Sequence, residues 1–320
     1  MPLRMVRARS CLAYRPVGIV APTRDHLECT HVITSALARR AWRRLEPVHG
    51  MIYFVPEAPA AYAALGLTDP NMGYFASRSA ALGPASAETV IACFFNFCPV
   101  LVRQAIPAAW DITTPEALLT ARLAAADQAL RRGLGESISA PGLVEAAALA
   151  RRAAEAACER LEGRPLFAAH AALPWPDEPH LVLWHAQTLL REFRGDGHLA
   201  ALLLEGLDGL EALILHGASG EVPVTFLRAS RGWPDEIWDA AVELLRVKGL
   251  LPAGEEFVLS EEGRLLRERV EERTDLASLP AYGALPEADA ERLCELGGPI
   301  TRTLLDAGLL PLGRRRPLPS

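Results

Sequence analysis

Arg191, Glu192, Arg194, Asp196 and His198 crowd into one short stretch that begins at Trp184-His185 and is otherwise apolar. Charged groups set among apolar ones must pair with each other or meet a ligand, because a lone buried charge is expensive. Asp196 stands two residues before His198, where a helix N-cap belongs. A helix start offers free N–H groups and the positive end of its dipole to an anion. On this reading His198 is a general acid or base, Asp196 its orienting carboxylate, and Arg194 or Arg78 an anion clamp. The competing reading is that Gly195-Asp196-Gly197 only turns the chain, with Asp196 capping and Arg194 pairing to it.

Two more groups have suitable types and spacing. His49 and Tyr53 are four residues apart and share a helix face near Glu57. Each can donate to a ligand or act as an acid or base; the alternative is a satisfied pair at the edge of a core. Arg78 sits in apolar surroundings with Asn96 and Arg103 in the next segments, and needs a carboxylate or phosphate partner. Glu57, Glu88 or a ligand acid would serve. The candidate ligand-binding residues are therefore His49, Tyr53, Arg78, Asn96, His185, Arg194 and His198. There is no phosphate loop, dinucleotide fingerprint, zinc spacing or nucleophile elbow. No metal is expected. A haem or other tetrapyrrole needs one axial ligand, which His49, His185 or His198 could each supply, but nothing in their spacing selects one.

The elements that must position these residues read as mainly α. Alanine and leucine dominate and β-branched runs are scarce. A first helix is expected over Ile33–Phe54, kinked or split at Pro47. Thr114-Pro115 starts a helix to Arg132, and Ser139 with Pro141 starts a long alanine-rich one to Leu161. The proline-rich segment 165–180 reads as a linker between a helical domain (31–164) and a second one (181–310). The second begins with a helix Leu181–Phe193, broken at Gly195-Asp196-Gly197 and resumed over His198–Glu205. Leu210–His216 follows, then strand character over Val222–Leu227. Short helices over Ala288–Glu295 and Thr301–Ala307 close the fold. Residues 1–30 read as a poorly ordered extension and 311–320 as a basic tail containing Arg314-Arg315-Arg316.

Between Trp233 and Asp275, within a module of about 210–275, the pattern is a winged helix-turn-helix. A helix Asp235–Lys248 stops at Gly249, and a Pro252-Ala253-Gly254 turn leads into a strand-like Glu256–Leu259, expected to form a small β-hairpin wing. Ser260 then opens another helix. A DNA reader would place the first of these helices in the major groove and hold phosphates with Lys and Arg. Here Arg231–Asp275 carries seven basic and twelve acidic residues, a net of −5. Asp235, Glu236 and Asp239 occupy the start of the would-be recognition helix.

The chain as a whole has 320 residues and a formal net charge of −6, with a mean hydropathy of +0.14. That is a globular chain without general attraction to nucleic acid or an anionic membrane. No apolar run is long enough to span a bilayer. The six cysteines show no CxxC spacing and read as reduced thiols of a cytoplasmic protein.

Several motifs together resemble an uncharacterised actinobacterial helix-turn-helix, winged-helix-like family. They are Glu46-Pro47-Val48-His49 with Tyr53-Phe54, Tyr74-Phe75-Ala76-Ser77-Arg78 with Leu82-Gly83, and Phe95-Asn96-Phe97 with Pro99. Ile106-Pro107-Ala108-Ala109-Trp110, Arg194-Gly195-Asp196-Gly197-His198, Arg231-Gly232-Trp233 and Thr274-Asp275 complete the set. The resemblance implies a possible regulator. It also implies a histidine where this chain has Phe193, so any role of that histidine is absent here.

The leading expectation is a helical protein that binds a small-molecule ligand or cofactor between its amino-terminal helices and the Arg194–His198 turn. Its winged module would be unsuited to DNA and would serve for packing or for a homodimer. A winged-helix transcriptional regulator is the alternative, with Arg264, Arg267, Arg269 and Arg273 offered to phosphates. An enzyme using His198 and Asp196 is a third reading.

Overall fold

The computed structural model describes residues 33–254 and 256–310. The extension and basic tail expected at the two ends lie outside them. Fifteen α-helices follow one another among the described residues. They are α1 (Ser35–Gly50), α2 (Glu57–Ala64), α3 (Pro70–Ser79), α4 (Ala87–Cys93) and α5 (Pro99–Ala105), then α6 (Ala108–Ile112), α7 (Pro115–Leu134), α8 (Pro141–Ala157), α9 (Pro165–Ala171) and α10 (Pro179–Leu204). The last five are α11 (Gly209–Ala218), α12 (Val224–Arg231), α13 (Asp235–Val247), α14 (Glu261–Tyr282) and α15 (Glu287–Asp306). Their starts follow local chemistry. Thr34, Ser86, Thr114 and Ser260 accept a backbone N–H three residues on, and Asp208 with Glu211 forms a capping box. Proline opens α3, α5, α7, α8, α9 and α10, where its missing N–H costs nothing.

The long helix α10 is the axis of the fold. Every residue from His180 to Leu190 is buried, so this stretch is covered all round, as a helix apolar on every side must be. It packs on α1, α7, α8, α9 and α14. The main core joins side chains from Ile33 to Phe193 with others from Ala281 to Leu309, and a second core gathers Ala201 to Val270. The last turns of α10 enter the second core through Ala201 and Leu202. There α11, α12 and α13 stack in the order of a helix-turn-helix: α11 touches both α12 and α13, and Trp238, Val242 and Leu245 turn one face of α13 inward.

Four expectations are corrected. Helix α10 does not break at Gly195-Asp196-Gly197. A Cβ on Gly197 would lie 3.0 Å from both Ala277 Cβ and Arg164 Nη1, so that glycine lets α14 and Arg164 approach rather than turning the chain. Val222–Leu227 is not a strand: Pro223 precedes α12, whose one buried residue is Leu227. Val224 packs partly against the second core beside Leu227 while Phe226 is exposed, so the apolar alternation there is not one face of a strand. The expected hairpin wing has no strand among the described residues, and Pro252–Leu259 is connecting loop apart from Glu255, which lies outside them. The two short closing helices are one helix, α15, with Pro299 inside it. Pro47 likewise lies inside α1, which ends at Gly50 and passes into a 3-10 turn, Met51–Tyr53.

Candidate functional site

The end of α1 brings His49 and Tyr53 against α10. His49 is fully buried. The Thr188 hydroxyl donates to the Trp184 carbonyl at 3.0 Å, which uses its one proton. Its oxygen therefore accepts from His49 Nδ1 at 2.8 Å. That fixes the neutral tautomer and leaves His49 Nε2 to accept the Tyr53 O–H at 2.9 Å. Burial, followed by the fields of Arg191, Arg122 and Arg78, holds the imidazole well below its ordinary pKa, so the ring is neutral. Both of its nitrogens are engaged, and neither is spare for a haem iron.

Tyr53 is the centre of a cationic cluster. The guanidinium carbons of Arg191, Arg78 and Arg122 lie 5.4, 5.5 and 5.6 Å from its ring centre. Burial alone would raise the phenol's pKa, but the three guanidiniums outweigh it and lower it. Arg78, on α3, donates to the Tyr74 hydroxyl at 2.8 Å, lies 4.3 Å over the Phe94 ring and reaches Glu192 at 3.7 Å. Arg191 pairs with Glu192 at 2.9 Å and with Glu46 at 3.3 Å. Glu192 is buried, which opposes ionisation, yet Arg191, Arg78, His170 and Arg122 pull its pKa below the usual carboxylate range.

Arg122, on α7, is only 3% exposed. Its nearest polar partner is the Tyr53 hydroxyl at 3.5 Å, its Nε has none, and no carboxylate pairs with it among the described residues. Trp184 Nε1, from the residue whose ring stacks on His49 at 5.9 Å, is another buried donor without an acceptor. Arg231, from the end of α12, lies 4.5 Å over Phe97 and also leaves its Nε unpaired. The donors outnumber the acceptors. Tyr53, Tyr74, Arg78, Asn96, Arg191 and Arg231 are half-buried, so the cluster keeps partial contact with solvent.

The other candidates go elsewhere. Arg194 pairs with Asp275 at 2.7 Å and Glu271 at 3.0 Å. Asp196 accepts the Phe167 N–H at 2.9 Å and so ties α9 to α10. Burial, which that bond only partly offsets, raises its pKa to about 6. His198 Nδ1 meets Thr274 at 2.9 Å. Because the Thr274 hydroxyl donates to the Val270 carbonyl, His198 donates to Thr274 rather than to Asp196, and the two are not brought together as an acid–base pair. His185 is buried against Trp175 at 4.7 Å. The Asn96 carbonyl accepts from Trp233 Nε1 at 2.9 Å. Glu57 pairs with Arg132, and Glu88 with Arg103, so neither serves Arg78. No group of three or more His, Cys, Asp or Glu residues among those described is placed to hold a metal ion. No helix among them is long and apolar enough to cross a membrane.

The fold and this cluster define a mainly α protein that carries a helix-turn-helix and a largely buried, arginine-rich cluster around Tyr53. The chain belongs to a helix-turn-helix family, whose family model matches residues 38–311. No curated protein and no solved structure matches it.

Proposed function

We propose that this helix-turn-helix family member binds a small organic anion, a carboxylate or phosphate, in the cleft around Tyr53. The observation that carries this is Arg122. Breaking a buried ion pair by removing one partner costs several kcal/mol, about 3–5, and Arg122 stands in the position of the partner left behind. Arg122, Trp184 and Arg231 contribute donors that lack acceptors, and an anion supplies what they lack. The half-buried rings of Tyr53 and Tyr74 would cover a flat apolar body attached to it.

Family membership favours a second reading, a DNA-binding regulator. Its difficulty is the exposed face of α13. Asp235, Glu236, Asp239 and Glu243 are exposed there, with Ile237, Leu244 and Val247 between them. The arginines of α14 that would hold phosphates are already paired: Arg264 with Glu261, Arg267 with Glu221, and Arg269 and Arg273 with Glu205. Native mass spectrometry of the full chain with added benzoate or inorganic phosphate tests the first reading. A single adduct per chain that is lost in Arg122→Gln supports it. A gel shift that tightens steeply as salt is lowered would put the regulator first.

A further inference from the structure

We propose that Arg231 is a ligand-contacting residue of the cleft, so that the anion is gripped by both cores at once and its arrival is felt at the turn of the helix-turn-helix. This rests on the cleft being an anion site. Arg231 ends α12, and Gly232-Trp233-Pro234 forms the turn into α13. Its guanidinium does not follow the rest of its module into the second core. It lies instead over Phe97, whose ring stands 5.6 Å from that of Tyr74, and Tyr74 is the hydroxyl partner of Arg78. Among the described residues, its polar side-chain contact is with the neighbouring Ser230 hydroxyl, at 2.7 Å. No carboxylate pairs with it among the described residues. Burial, with Arg78 and Arg191 as like-charged neighbours, lowers its pKa. Arg78, which contacts the Tyr74 ring and hydroxyl, and Arg191 act on Arg231 as like charges, and an anion among them would turn that repulsion into attraction.

The backbone around Arg231 is fastened to the same wall of the cleft. Its carbonyl accepts the Cys98 N–H at 2.9 Å, and Trp233 Nε1 donates to the Asn96 carbonyl. Gly209, which opens α11, lies so close to this loop that a Cβ there would be 1.8 Å from the Phe95 carbonyl oxygen. Residues 94–98 therefore carry the rings under Arg78 and Arg231 on one side and dock the helix-turn-helix on the other. An anion that draws Arg231 inward would tighten this docking. The coupling can be no larger than the difference in the anion's affinity for the docked and loosened states.

Hydrogen exchange on the full chain, with benzoate and with inorganic phosphate as separate probes, tests this. Binding is expected to slow exchange in residues 49–54 and 74–78 and also at Cys98 and in residues 232–247. Arg231→Gln is expected to weaken binding about tenfold or more, the loss of a charge-assisted contact, and to abolish the response in 232–247. Arg231→Lys is expected to recover part of both. A probe that slows exchange only within 49–78, or that binds Arg231→Gln as tightly as the parent, overturns the role of Arg231 and leaves the cleft standing. Failure of both probes to bind the parent chain overturns the cleft itself and this inference with it. The exchange pattern of the parent decides the matter even where a variant folds poorly.

Discussion

Thr188 decides the protonation pattern of the cleft. By spending its proton on the Trp184 carbonyl, it makes His49 a donor on one side and an acceptor for Tyr53 on the other. Thr188→Val keeps the shape and removes the acceptor for His49 Nδ1. The expected cost is about 1–3 kcal/mol for an orphaned buried donor, read as a drop in the urea midpoint with the slope unchanged. The His49–Tyr53 half of this arrangement was legible in the sequence, because a spacing of four puts both on one helix face. Arg122 was not singled out, although a signal existed. Leu118, Arg122, Ala125, Ala126 and Ala129 share the buried face of α7, so an arginine interrupts an otherwise apolar stripe. Its partners Tyr53 and Trp184 come from the 3-10 turn after α1 and from α10, and no local pattern names a residue brought from so far along the chain.

At the scale of elements, α10 shows why the sequence misleads around residue 196. Two glycines in one turn read as a break, but they have different surroundings. A Cβ at Gly195 would meet only Glu192 Oε2 at 3.6 Å, whereas one at Gly197 would press on Ala277 and Arg164. Gly195→Ala is expected to stabilise the protein by about 0.5–1 kcal/mol through helix propensity. Gly197→Leu is expected to destabilise it by about 1–3 kcal/mol through overpacking. Thermal denaturation of the two variants side by side checks both signs. The helix starts were readable because capping residues and N1 prolines act locally. The expected strand over Val222–Leu227 failed because Val224 and Leu227, three residues apart, share one helix face, and a few alternating apolar residues do not distinguish a strand period from a helix period. Only the docking of Leu227 into the second core tells them apart.

For the whole molecule, the buried histidines set the response to acid. Burial, the largest cause for each, holds His49 well below its ordinary value and His170, His185 and His198 near 4. The unfolded chain takes up these protons near pH 6.5, so the stability they contribute is present above that pH and is lost as pH falls toward 4. Asp196 works the other way. Its folded value of about 6 lies above the unfolded one, so its contribution is present at low pH and is lost as pH rises through 6. Four histidines opposed by one carboxyl leave about three protons bound on unfolding, a slope of up to about 4 kcal/mol per pH unit between roughly pH 6 and 4.5. Urea midpoints across that range measure it, and a flat profile would mean that the histidines are not buried as described.

The mainly α class and helix α13 were visible in composition and periodicity, and the acidic charge of the module was countable, but α12 of the helix-turn-helix read as a strand. The proposed cleft was visible only in part: His49, Tyr53, Arg78 and Asn96 were candidates, but Arg122 and Arg231 reach it from α7 and α12, which no local pattern joins. The most direct test of the cleft is calorimetric titration of benzoate and inorganic phosphate into the full chain and into Arg122→Gln at low salt. One site per chain is expected, weakened by added salt and with affinity reduced about tenfold or more in the variant. Equal affinity in both proteins, or no heat beyond dilution in either, would contradict it.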